Sequence, residues 1–480
     1  MKDFATRVLD TSRVRGAAYA DVRIVRSRSE SILVRNGKVE SLTMGESEGF
    51  GVRVIADGAW GFAASNLVNG SEGDRVAALA VQIAKASALV RRLPVNLSPA
   101  APSAGSYRTP YQIDPFAVPL HEKIDLLLKA DEAMRRVPQI TVAESSIEIL
   151  RENKVFASSE GSYVEQEITQ TGCGIEATAV GSDDVQKRSF PNSVGRHMGT
   201  EGYEFVQRWD LAGNAPRIAD EAAALLQAKQ CPSLTTTLIL DATQTALQVH
   251  ESCGHPIELD RVFGDEAAFA GTSFLTLDKL GHFPYGSRIV NITADGTVPG
   301  GLGTFGYDDE GTPAHVTPII RDGVFVGYLT SRETAAALGQ RSNATMRADG
   351  WNRVPLIRMT NINLEPCEWS FDDLIASTDS GIYMQTNKSW SIDDKRLNFQ
   401  FGTEIAWEIV NGKLGAMLKN ATYTGMTPQF WGSCDAICNR DHWVVWGTPN
   451  CGKGQPVQTA HVGHGTAPAR FRNVRVGVIG

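Results

Sequence analysis

Five of the seven Asn-Gly or Asp-Gly pairs, those at 36–37, 57–58, 295–296, 322–323 and 411–412, interrupt stretches in which apolar and polar residues alternate. Such a pair accepts the positive φ angles of a tight hairpin turn, and the alternation gives each flanking strand one buried and one solvated face. A chain punctuated this way is committed to antiparallel sheets. Helical spacing of apolar residues intervenes at about 3–16, 74–92, 121–137 and 217–229. Turns are also expected at Glu152-Asn153 and Glu160-Gly161, within the long alternating run 139–180. The order helix, strands, helix thus occurs twice before residue 230, and short strand runs dominate from about 280 onward. The expected class is α+β: two N-terminal helix and antiparallel-strand domains, 1–93 and 119–230, followed by a β-rich C-terminal domain, 231–480. Residues 94–118, rich in Pro, Ser and Ala, read as a linker.

The net charge of −8 opposes direct nucleic-acid binding, which leaves a basic footprint. No apolar run of about 18 residues occurs, so no membrane helix is expected. The first residues alternate charge with no apolar stretch, which does not fit a secretory signal. Seven cysteines, sparse and irregular over 480 residues, suit reduced thiols in a cytoplasm better than a disulfide framework.

The chemistry concentrates in "HESCGHP", residues 250–256. A zinc-binding H-E-x-x-H places its histidines four apart on one helix face, but His250 and His255 are five apart. An α-helix turns about 100° per residue, so this spacing separates the two rings by about 140°. One π-type turn, bonding i to i+5, brings them back together. Gly254 tolerates distorted backbone and Pro256 cannot continue the donor ladder, so a loosened helix end is expected here, with Asp241 capping the helix start. Two neutral imidazoles suit Zn²⁺, and Glu251 is placed to act as general base. The competing reading is two unrelated histidines.

A catalytic zinc needs a third protein ligand. Glu258 and Asp260 follow closely, and His442, His461 and His464 lie near the C-terminus. Cys253 falls on the opposing side of the helix and reads as a packed thiol. Cys434, Cys438 and His442 have helical spacing but lack a good fourth ligand. The best candidate is Cys451 in "TPNCGKG", where Pro, Asn and Gly suggest a tight loop. An oxyanion partner is not evident; His282, Tyr307 and His315 are candidates in Gly-rich segments.

Together, "HESCGH", "NCGKGQ" and the N-terminal "VRNGKVE…GFGVRV" block resemble the TldD/PmbA family of metallopeptidases, with length and layout agreeing over nearly the full chain. The resemblance implies a cytoplasmic zinc peptidase acting on peptides or unfolded segments. It implies a dimer, with itself or with a homologous subunit. Carried over by position, His250, His255 and Cys451 become zinc ligands and Glu251 the catalytic carboxylate, the pattern of an active subunit. The alternative is a catalytically silent, peptide-binding partner subunit. A further rival is a cysteine peptidase pairing Cys451 with His461 or His464.

Overall fold

A computed structural model of the chain describes residues 1–193 and 197–477. Its N-terminal half is built on one sheet. Helix α1 (Lys2–Val14) leads into β1 (Tyr19–Arg35), β2 (Lys38–Ala56) and β3 (Ala59–Ser65), then α2 (Gly70–Ala88). The two hairpin turns fall where the Asx-Gly pairs put them, with φ of 48° and 78° at Asn36 and Gly37 and of 49° and 73° at Asp57 and Gly58. Next come β4 (Ala104–Arg108), α3 (Leu120–Arg135), β5 (Ile140–Ser158), β6 (Tyr163–Val180), β7 (Val185–Phe190), β8 (His197–Gly199) and α4 (Leu211–Gln227). The strand order is β3-β2-β1-β5-β6-β4, with β7 and β8 also paired to β6.

Two sequence expectations change here. Glu152-Asn153 is not a turn: β5 passes through it because Asn153 pairs with Arg26 of β1 on one side and Glu167 of β6 on the other. Segment 94–118 is not bare linker, since β4 within it runs parallel to β6. The helix-strand-helix units keep separate cores on the shared sheet. Val8, Phe50 and Val76 centre the first, and Leu127, Ile147 and Ile218 the second.

The C-terminal half holds β9 (Leu234–Leu240), α5 (Ala242–Val249), α6 (Leu259–Phe263), β10 (Ile292–Asp295), β11 (Val316–Arg321), β12 (Val324–Phe325), β13 (Asn361–Leu364), β14 (Ser380–Ile392), β15 (Asn398–Val410), β16 (Lys413–Lys419), β17 (Thr422–Met426), β18 (Cys434–Ile437), β19 (Val444–Lys453), β20 (Gln458–Thr466) and β21 (Ala469–Val476). Strands β14, β9, β21, β17 and β15 pair in that order, and β15 pairs back to β14, so they close a ring. A second sheet runs β12-β11-β10-β13-β20-β19 and ends on β19. One continuous core, including Val249, Ile362, Met384, Trp431 and Val462, fills the space between them and seats α5.

The N-terminal sheet meets this half across buried ion pairs. Arg53 reaches Asp21 at 2.8 Å and Glu310 at 3.3 Å, Arg23 reaches Asp309 at 3.2 Å, and Lys154 reaches Asp309 at 2.9 Å.

Candidate metal centre

The Asp241 carboxylate caps α5, accepting from the backbone N–H groups of Thr243 and Gln244. The helix is regular to Val249 and then opens into a single π turn over His250–Gly254. The His255 N–H closes it on the His250 carbonyl at 3.2 Å, the i+5 bond that the histidine spacing requires. As a result the two rings meet edge to face, their centroids 4.9 Å apart. Gly254 is needed for space as well as flexibility, since a Cβ there would lie 2.4 Å from the Met359 sulfur.

Cys451 arrives from β19. It is not in a loop, as its neighbours suggested, but in a strand and only 4 % exposed. Pro449 and Asn450 are accommodated by a break in register, where pairing jumps from Thr448↔Val462 to Cys451↔Ala460. The Cys451 Sγ lies 3.8 Å from His255 Nε2. A ligand atom from each of His250, His255 and Cys451 falls within 4.8 Å of the others, and all three residues are buried.

Hydrogen bonds behind the rings fix their tautomers. His464 Nδ1 lies 3.3 Å from the Ile362 carbonyl, to which it can only donate, so its Nε2 is an acceptor. His250 Nδ1, 2.8 Å from that nitrogen, therefore carries a proton, and His250 Nε2 keeps a lone pair. His255 Nδ1 donates to the Glu258 carboxylate at 3.1 Å, which likewise leaves its Nε2 free. This is the support that metal-bound histidines ordinarily receive.

Burial holds both histidines below their ordinary pKa, so they stay neutral donors. The cysteines divide sharply. Burial pushes Cys231 up to about 11 and Cys253 and Cys438 up to about 12, and it raises Cys173, Cys367 and Cys434 too. Burial also works against a Cys451 thiolate, but the positive charges of His255, when its ring is protonated, and of Arg358 beside the thiol outweigh that and bring this thiol below its usual range. Cys253 is thus the packed thiol its position on the helix suggested.

Glu251, 5 % exposed, is gripped by Arg396, whose Nη1 lies 2.5 Å from Oε2. Arg396 sits in the β14–β15 connection with φ of 63°, and its buried Nε has no hydrogen-bond partner. Nothing in "DDKR", an ordinary charged hairpin loop, marked this residue in the sequence.

The remaining candidates lie elsewhere. Glu258 and His464 stand behind the histidines rather than among the three donors, and Asp260 pairs with Lys453 at 2.7 Å. His461 bonds to Gln170 at 2.6 Å, so neither histidine proposed as a Cys451 partner contacts the thiol. Cys434 lies in a strand and His442 in a short 3₁₀ turn, so their helical spacing is not realised. His282 and His315 are exposed, while Tyr307 packs against Gly105 and lines a separate cleft.

Family models described as PmbA/TldA metallopeptidase domain 1, central domain and C-terminal domain match residues 20–84, 113–230 and 233–478. The chain is 31% identical to a metalloprotease of Methanocaldococcus jannaschii, over 92% of this chain and 93% of that one. It is 22% identical to a protein of Saccharolobus solfataricus named zinc metalloprotease TldD homolog, over 96% and 97% of the two chains. Its fold matches the crystal structure of TldE from Thermococcus kodakarensis with a TM-score of 0.75 at 16% identity, covering 99% of this chain and 100% of that one.

Proposed function

We propose that this chain, which belongs to the PmbA/TldD family of metallopeptidases, is a zinc-dependent peptidase with Glu251 as its general base. The observation that carries this reading is the convergence of one ring nitrogen from each of His250 and His255 and one thiol within 4.8 Å, while the Nδ1 atoms of the two rings are committed to His464 and Glu258. Two imidazoles and one thiolate fit Zn²⁺ and leave a fourth position for substrate or water. When bound there, zinc supplies Lewis-acid polarisation of the scissile carbonyl and acidifies the attacking water.

The chain's own residues do the rest. Glu251 follows His250 directly, takes the proton of the attacking water and hands it to the leaving amine. Arg396 fixes the orientation of that carboxylate and places a positive charge at the rim of the site. β19 is the terminal strand of its sheet, with β8 packed over it at Gly447, and an extended peptide laid along the rest of such an edge is recognised mainly by its backbone. That favours unfolded segments with loose sequence preference. We further propose a cytoplasmic dimer, formed with itself or with a homologous subunit; co-purification of the tagged chain from its host tests which. No helix among the described residues is long and apolar enough to cross a membrane.

The primary test is zinc per chain, with peptidase rate, in wild type, Glu251→Ala and Cys451→Ala. Glu251→Ala keeps the metal and loses activity; Cys451→Ala loses the metal. Undiminished zinc in Cys451→Ala removes this residue from the ligand set. A zinc-loaded wild type that cleaves no peptide identifies a silent binding subunit. Activity that survives a chelator identifies a cysteine peptidase instead.

A further inference from the structure

Beside the metal centre, between β5 and β6 of the N-terminal sheet and the C-terminal half, lies a cleft of about 140 Å³. Its walls include Glu152, Lys154, Gln170, Arg347, Arg358 and His461. The two arginines are unlike every cation of the nearby ion-paired seam. Arg358, 1 % exposed, donates only to backbone carbonyls, those of Gln458 at 3.0 Å and of Cys451. Arg347 likewise donates to the His461 carbonyl at 2.7 Å and to that of Met359. The Nε of each is buried with no hydrogen-bond partner. Among the described residues, neither guanidinium forms an ion pair.

The acids in the cleft are already engaged. Glu152 and Asp309 each lie 2.9 Å from Lys154, and Asp309 also holds Arg23. Asp349, at the exposed rim, accepts the Thr459 N–H at 2.8 Å. What remains inside is two cations with spare N–H groups and no carboxylate paired to either; the other anionic group near them is Cys451, which the zinc reading commits to the metal. Such an arrangement costs stability unless a further anion completes it. Consistent with this, burial and the neighbouring Arg358 bring Arg347 down to about 10. A guanidinium is shaped for a carboxylate.

We propose that this cleft binds a carboxylate of the peptide substrate, between Arg347 and Arg358. The proposal rests on the peptidase reading and deepens it to a preference for acidic substrates. Position supports it. Arg358 grips the Cys451 carbonyl, and Ala460, which pairs with Cys451, lines the same cleft. The carboxylate held there belongs to a residue near the scissile bond, either an Asp or Glu side chain or the C-terminal group.

The test measures binding, not turnover. Fluorescent hexapeptides are titrated against the full chain carrying Glu251→Gln, in two arms: internal Glu against Gln, and C-terminal acid against amide. In at least one arm the acid binds about tenfold tighter or better, and the arm identifies the source of the carboxylate. Arg347→Gln brings acid and neutral peptide to parity. So does Ala348→Glu, which leaves both arginines in place and supplies a competing carboxylate from the cleft wall. Charge-blind binding in both arms overturns the proposal, as does a preference that survives both substitutions. Failure of every peptide to bind sinks the peptidase reading and the cleft with it, whereas charge-blind binding sinks the cleft alone.

Discussion

At the seam between the N-terminal sheet and the C-terminal half, buried cations have acids against them: Arg53 on Asp21 and Glu310, Arg23 on Asp309, Lys154 on Glu152 and Asp309. At the metal centre, two neutral imidazoles and a thiol turn their donor atoms toward one another, with their supporting hydrogen bonds all on the far side. Those ion pairs are electrostatically closed and have nothing left to bind. The centre is built so that three lone pairs stay unspent, which is useful only if something completes it. Burial alone does not mark a functional group; burial with unspent valence does.

The largest effect expected from breaking this contrast is on catalysis. Glu251→Gln should cut kcat about 10²–10⁴-fold with bound metal unchanged, measured by peptide hydrolysis and metal analysis on one preparation. If metal falls in parallel with rate, Glu251 helps to hold the ion and is not simply the base.

The seam offers the opposite outcome. Asp21→Asn strips a charged partner from Arg53, whose side chain is 5% exposed, and should cost about 3–5 kcal/mol of unfolding free energy in urea. Metal affinity of the protein that remains folded should not move. A seam substitution that weakened metal binding would show that the two regions are one coupled unit.

How much of this was legible beforehand varies with sequence distance. The hairpins at Asn36-Gly37 and Asp57-Gly58 were readable because turn chemistry is local. So was the π turn, because His250, Gly254, His255 and Pro256 state its requirements within seven residues. Glu152-Asn153 misled because cross-strand pairing on both sides overrides local turn preference. The Pro, Asn and Gly around Cys451 read locally as a loop, but in the fold they make a break in strand register. Arg396, Glu258 and His464 act only through folded contacts. Of these, Arg396 has no spacing to betray it, and Glu258 and His464, which sequence offers as third donors, instead bond to the Nδ1 atoms of His255 and His250.

That supporting pair gives a graded test. His464→Ala removes the acceptor that fixes the His250 tautomer and should weaken metal affinity about 10–100-fold by competition with a chelating dye. Glu258→Gln still offers His255 an acceptor oxygen but no charge, so it should fall at the low end of that range. The reverse order would make the tautomer less important than the negative charge.

The smallest effect concerns histidines kept neutral by burial, inside the centre and out. Burial lowers His250, His255 and His464 within it, and takes His461 in the arginine cleft down to about 4 and His197 to about 3. Above pH about 6.5 these rings are neutral in the folded and the unfolded chain, so they contribute no slope. Below it the unfolded chain takes up protons that the folded chain refuses, and stability falls as pH falls. Each such ring adds about 1.4 kcal/mol per pH unit until its own folded pKa is reached. His461→Gln should therefore flatten the metal-free stability curve by about that amount per pH unit between pH about 6 and 5, read from urea midpoints. The metal-loaded protein should show the same change, because His461 is not one of the three converging donors and its ring nitrogen answers to Gln170. A slope change seen only with metal present would move His461 into the centre and erase the boundary drawn between the two regions.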